Sequence, residues 1–251
     1  MKKRLLILLS VLVMIALLPA CGGKENATVD APQASGSVNT ADGEMPVVVN
    51  TGEYTLYQNI FYNDTKADYA GKDTVKEGTF ATIYDAFNDV TRYYVWGYND
   101  WTKCCDWQWE LKPDDTSALP VNGSLVTVTG TYEENEDALD KFWIIHPEVT
   151  VKETFDGRDF DVDMQAMGST LERVQSINIV RNAEAFEGKT VCAYGRIKDQ
   201  NTLEDPYYDN SWTITLDGEY EVPAFGTLVL VTGTIRDGSI INCKIEENTQ
   251  Y

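Results

Sequence analysis

Residues Pro120 to Thr131 read P-V-N-G-S-L-V-T-V-T-G-T, and Pro223 to Thr234 read P-A-F-G-T-L-V-L-V-T-G-T. Each is a β-branched run with a glycine near either end, the pattern of a strand entered and left through tight bends. The likeness extends upstream. Tyr69-Ala70-Gly71-Lys72 precedes Gly78, and Phe186-Glu187-Gly188-Lys189 precedes Gly195, with the same seven-residue spacing between glycines. Trp109 and Trp212 each stand eleven residues before the cassette proline. The chain therefore holds two copies of one β-rich module.

Further strands are expected over Thr79 to Tyr84, Tyr93 to Trp96, Trp107 to Leu111, Lys141 to Ile145 and Ser239 to Ile245, all rich in β-branched and aromatic residues. Helical signals are few. Asn59 to Ala70 and Ser176 to Phe186 each read as a short helix closed by glycine, at Gly71 and Gly188, and Ser169 to Val174 also admits one. Five short antiparallel strands leave exposed edges unless they curl, so each module is expected to close as a small barrel.

The order aromatic-x-Gly-Lys, a long first strand with its glycine, then a late Leu-Val-x-Val-Thr-Gly-Thr strand resembles bacterial OB-fold-like modules. The first copy is similar, more narrowly, to a poorly characterised family of OB-fold-like envelope proteins often encoded beside a membrane permease. Tyr69-Ala70-Gly71-Lys72, Gly78, the aromatic run Tyr93 to Trp96, the Cys104-Cys105 pair and Gly123 to Gly130 carry that likeness. It departs from the family after the cysteines, where Asp106-Trp107-Gln108-Trp109 replaces a small and acidic run. The resulting expectation is a mainly β chain with two small OB-like antiparallel β-barrels, each preceded by a short helix. Their bounds are 51–155 and 176–251, with 156–175 as the connection.

Residues 1–20 read as a signal peptide: Lys2, Lys3 and Arg4, then a nearly unbroken apolar run from Leu5 to Leu18, short for a membrane span. The junction Leu18-Pro19-Ala20-Cys21, followed by Gly22-Gly23, resembles the bacterial lipobox, in which Cys21 becomes the acylated N-terminus. An ordinary secretory signal with an incidental cysteine is the alternative. Residues 21–50 then form the lipidated cysteine and a polar tether, too poor in apolar groups to offset its ordering entropy. The expected location is the extracytoplasmic face of the bacterial cell membrane, with the lipid anchor as the membrane contact.

The formal net charge of −20 becomes −23 once the three basic leader residues are removed. Such a surface argues against nucleic acid as a partner, because phosphate binding needs clustered Lys and Arg.

Comparing the copies isolates a candidate site. Gly78 to Trp109 spans 31 residues and Gly195 to Trp212 spans 17, so the first copy carries 14 more between its first strand and its tryptophan strand. Trp96, Trp101 and Trp107 lie there, as either a ligand-stacking platform or a larger aromatic core. Cys104 and Cys105 also lie there. They would bind zinc or copper as thiolates, form a vicinal disulfide, or be inert. A metal would need further ligands, and His146, the single histidine, is the candidate. Cys192 and Cys243 form a candidate disulfide in the second copy, although strand alternation points them to different faces. Asp159, Asp161 and Asp163 share one face of an extended segment but lack a calcium-loop pattern.

The leading expectation is a non-catalytic, lipid-anchored binding or interaction protein, its partner a small ligand, a glycan or an envelope protein. A metal-handling or thiol-redox protein built on Cys104-Cys105 is the alternative, and a purely structural envelope component is a third. The second copy does without the cysteine pair, so replacing both by serine is expected to leave a folded chain, at a cost of at most about 1–3 kcal/mol. Thermal unfolding with and without zinc, copper(I) and reductant checks this. Identical melting of wild type and variant under every condition removes both the metal and the redox readings.

Overall fold

The structure, a computed structural model, describes residues 69–98, 105–135, 138, 142–155, 158–209 and 211–248, together with the strand Val47–Val49. The leader, Cys21, most of the tether, Trp101, Cys104 and most of the expected helix over Asn59 to Ala70 lie outside these residues. The end of the expected tether is corrected: Val47–Val49 pairs as a strand, its three valines suiting a sheet edge rather than a polar leash.

Twelve strands form two six-stranded sheets among the described residues. The first contains β1 (Val47–Val49), β2 (Asp73–Asp85), β3 (Val90–Tyr98), β4 (Asp106–Lys112), β5 (Leu125–Glu134) and β6 (Phe142–Glu153). The second contains β7 (Val162–Asp163), β8 (Thr190–Asp199), β9 (Thr202–Glu204), β10 (Thr213–Asp217), β11 (Leu228–Arg236) and β12 (Ser239–Glu247). In the first sheet the order is β1-β2-β3-β4-β6-β5, with β5 also pairing β2. The second repeats this as β7-β8-β9-β10-β12-β11, with β11 also pairing β8. In both, five strands close into a ring of pairings. One pair in each ring is parallel, β4–β6 and β10–β12, and a short strand, β1 or β7, lies parallel to the outside of the first ring strand.

The repeat extends to single hydrogen bonds. Gly71 N donates to Tyr132 O at 2.9 Å, and Gly188 N to Ile235 O at 2.8 Å. Gly123 N donates to Phe80 O at 2.8 Å, and Gly226 N to Ile197 O at 2.7 Å. Both cassette strands shift register at their second glycine, between Thr129 and Thr131 and between Thr232 and Thr234. There the facing strand packs so closely that a Cβ on Gly130 or Gly233 would lie 2.5 Å from the side chain of Ile144 or Ile240. Glycine is the residue that fits a bulge of this kind.

The cassettes alternate as expected: Val126 and Val128, like Val229 and Val231, are wholly buried. The first core gathers Phe80, Val95, Trp107, Trp109, Val128 and Ile144. The Trp107 ring lies against Gly78 and Gly97, where added Cβ atoms would sit 2.8 and 2.3 Å from it. Over that ring, 3.3 Å from its centroid, stands the ammonium of the fully buried Lys76.

The two sheets meet along α1 (Ser169–Arg181). The helix begins before the segment expected from Ser176 onward, joins it to Ser169–Val174 without a break, and ends at Asn182, where a 3-10 turn over Ala183–Phe186 takes over. Its buried face is largely polar, Glu172, Gln175, Ser176 and Asn178 beside Leu171 and Ile179, so hydrophobic periodicity marks it poorly. Its N-cap is Gly168, which has no side chain to offer. The cap comes from β4 instead: Asp106 Oδ2 accepts from Thr170 N at 2.8 Å and from Ser169 Oγ at 3.0 Å, and Oδ1 accepts from Thr170 Oγ1 at 2.7 Å. A Cβ on Gly168 would lie 2.6 Å from Asp106 Oδ2 and 2.7 Å from Trp96, so glycine here permits the approach. Trp96 Nε1 donates to Ala166 O at 3.1 Å, and Ala81, Ile83, Tyr94, Trp96, Met167 and Leu171 form the apolar joint.

Asp106→Ala is expected to lower stability by about 1–2 kcal/mol, the upper range for losing a helix cap. Urea unfolding measures it, with Asp106→Asn recovering part of the loss.

Candidate functional site

Among the tryptophans proposed as a platform, Trp96 and Trp107 are core residues, 8% and 1% exposed. Trp107 Nε1 donates to Tyr98 O at 3.3 Å and its ring fills the space beside two glycines, while Trp96 is spent on the joint. Neither presents a ring face to solvent. Of the two readings of this insertion, the larger aromatic core describes both residues; Trp101 lies outside the described residues.

Cys105 is exposed one residue before β4, and Cys104 lies outside the described residues. His146 does not join Cys105. Lys112, the last residue of β4, stands beside Ile145 on the parallel strand β6, which places His146 past the far end of β4 from Cys105. At a rise of about 3.3 Å per residue the two ends are roughly 25 Å apart. His146 instead takes a positive φ of 50° at the bulge, where Asn242 takes 54° in the second sheet, residue types that tolerate this conformation. Its Nδ1 lies 2.8 Å from Asp114 Oδ2 on the surface. Among the described residues no cluster of three or more His, Cys, Asp or Glu is placed to hold a metal ion.

Cys192 and Cys243 are separate thiols. Cys192 stands beside Thr232 on β11, and Thr232 stands beside Lys244 on β12, so Cys243 points to the opposite face. Cys243 packs in the second core and donates its S–H to Ile240 O at 2.9 Å. Cys192 is buried near Arg158 and Asp163, and burial pushes its thiol up to about 11. The candidate disulfide is therefore absent, for the reason that alternation gave. The aspartate row is likewise occupied: Asp163 pairs with Arg158, and Asp161 Oδ2 accepts from Thr190 N at 2.7 Å and Thr190 Oγ1 at 2.8 Å.

The site that geometry offers is a cleft of about 350 Å³ between the end of the β2–β3 hairpin and α1 with its following 3-10 turn. Along β2, Phe80 faces the first core while Ala81 and Ile83 face α1. Thr82 and Tyr84 share the face of Phe80 but lie farther along the strand, where they line the cleft. Thr82 Oγ1 donates to Asn122 Oδ1 at 3.0 Å, and the Tyr84 ring meets Phe186 edge-on at 5.7 Å. From the helix side comes Gln175, 1% exposed, whose Nε2 has no hydrogen-bond partner among the described residues. Lys189 and Asp161 stand at the margin. Asn122 occupies the turn that opens the first cassette, where the second copy carries Phe225, 65% exposed; that difference was visible in the sequence. Gln175 carried no comparable signal, being one of several polar residues on an unperiodic helix.

One turn before Gln175, Glu172 is 3% exposed, with no hydrogen-bond partner for Oε1 among the described residues. Burial first, then the neighbouring carboxylates of Asp205 and Asp106, raises its carboxyl well above the usual range. Asp205 itself is buried, accepting from Tyr207 N at 2.8 Å and Tyr208 N at 3.1 Å, with Arg173 Nε 3.4 Å away.

Comparison with known proteins finds no matching family model and no curated protein that matches the chain. The reading of the cleft therefore rests on its own residues.

Folded Glu172 holds a proton that the unfolded chain gives up at lower pH. Its contribution is complete below the ordinary carboxylate range and is lost as pH rises through the raised value. Glu172→Gln is thus expected to gain about 1–3 kcal/mol over wild type at pH 8 and to match it near pH 4. Urea unfolding across that range checks the prediction; parallel pH profiles for the two proteins would refute it.

Proposed function

We propose that this is a lipid-anchored, extracytoplasmic binding protein, non-catalytic, whose folded part is two OB-type barrels in tandem. Support for the barrels comes from the two rings of five strands, each closed by pairing its first and fourth strands. The anchor rests on the Leu18-Pro19-Ala20-Cys21 junction and the polar tether that follows. The observation that carries binding is the cleft at the joint of the two sheets, concave and lined by an unpartnered buried amide beside aromatic and hydroxyl side chains. With a formal charge of −20, nucleic acid is not the partner.

The anchor is tested in cells. Wild type is expected in the membrane fraction, with an intact mass that begins at Cys21 and includes acyl chains, and Cys21→Ser is expected in the soluble fraction. Wild type in the soluble fraction without added lipid mass overturns the anchor. Binding is tested by thermal shift against a panel of sugars, amino acids, short peptides and divalent ions, where a saturable shift is expected. A flat response to the whole panel overturns small-ligand binding.

A further inference from the structure

We infer that the cleft takes a small neutral sugar, a mono- or disaccharide, with one of its oxygens accepting a hydrogen bond from Gln175 Nε2. This rests on the binding reading above and names its ligand class and contact.

The starting point is the orphan donor. Buried side-chain amides are almost always satisfied, and leaving one unpaired is costly. Gln175 is 1% exposed, lines the cleft, and has an Nε2 that meets no acceptor among the described residues. What belongs opposite it is an oxygen.

Charge then narrows the oxygen to a neutral one. The acid in the cleft's own lining is Asp161, and the chain carries −20 overall. The cation at the margin is the exposed Lys189, whose field already acts on Asp161. A carboxylate or phosphate brought to Gln175 would lose its hydration to a single neutral donor in a cleft that already carries Asp161. A metal cation would leave Nε2 unpaired, and no three His, Cys, Asp or Glu side chains among the described residues are placed to hold one. A wholly apolar ligand would leave the amide as unpaired as before.

The remaining lining fits a ring of hydroxyls. Thr82, Thr91 and Asn122 offer groups that both donate and accept, which is the behaviour of each sugar hydroxyl. Tyr84, Phe186, Val162 and Met167 add apolar surface of the kind that covers a sugar's C–H face. The volume of about 350 Å³ falls at the small end of ligand sites, room for one or two rings.

The test uses the full acylated chain in a detergent without a sugar headgroup. Glucose, galactose, N-acetylglucosamine, maltose and cellobiose are titrated by calorimetry, with acetate, glycine and alanyl-alanine as competitors of other classes. Gln175→Leu keeps the side-chain size and removes the donor; Asn122→Ala changes the opposite wall and decides alone if the first variant does not fold. Saturable binding of at least one sugar, weakened tenfold or more in these variants with unchanged circular dichroism, supports the proposal. Sugar binding of equal strength in the variants places the ligand elsewhere, overturning the cleft while leaving a binding protein. A preference for acetate or the dipeptide overturns the ligand class. If no sugar binds, the proposal falls, and the earlier reading falls with it only if the wider panel is silent too.

Discussion

The carboxylate of Asp106 holds the folded chain in one arrangement. It leaves the start of β4 in the first sheet and satisfies the opening turn of α1, whose own cap position is a glycine. A helix N-terminus without an acceptor keeps unpaired N–H groups and an uncompensated positive dipole end, so the interaction serves both needs at once. Because Gly168 lets Asp106 and Trp96 come close, the same contact fixes where the helix lies against the first sheet. The positions of Glu172 and Gln175 follow from it, and so does the width of the cleft.

The extra length of the first copy gains a physical meaning from this joint. Trp96, Asp106 and Trp107 all come from the stretch that the second copy shortens, and each has a packing or capping task. Trp107 spreads over two glycines with Lys76 above it, enlarging the first core. Trp96 and Asp106 face outward from that core and receive the connection to the second. The longer copy thus builds one surface for itself and another for its neighbour. The closing ring of strands is common to both copies.

Much of this was legible in the residues. The cassettes, their bulges and the paired glycine bends recur in the structure with matching hydrogen bonds, because backbone geometry at Gly71 and Gly188, or Gly130 and Gly233, admits few alternatives. Alternation also separated Cys192 from Cys243 correctly, since the side-chain period of a strand is two. The joint was not legible. α1 buries Glu172, Gln175, Ser176 and Asn178, so neither its extent nor its inner face follows from hydrophobic spacing. Its cap lies 64 residues away in the chain, and local motifs cannot announce such a partner. His146 misled for a related reason. As the single histidine it invited a chemical role, yet its position is set by a backbone conformation that Asn242 adopts equally well.

Ring closure also has a kinetic consequence. Asp73 reaches its partner Thr131, and Thr190 its partner Thr234, only after the intervening strands have been laid down. Until the fourth ring strand returns, β2 and β8 each present a bare edge of amides and carbonyls, open to any other extended chain. Pairings so distant in sequence form slowly, because loop entropy is lost before the contacts repay it. During that interval the excess of acidic residues acts as a guard: chains that all carry the same sign repel one another while their edges are still open. The charge that keeps phosphate backbones away therefore also protects the protein from itself before it is folded.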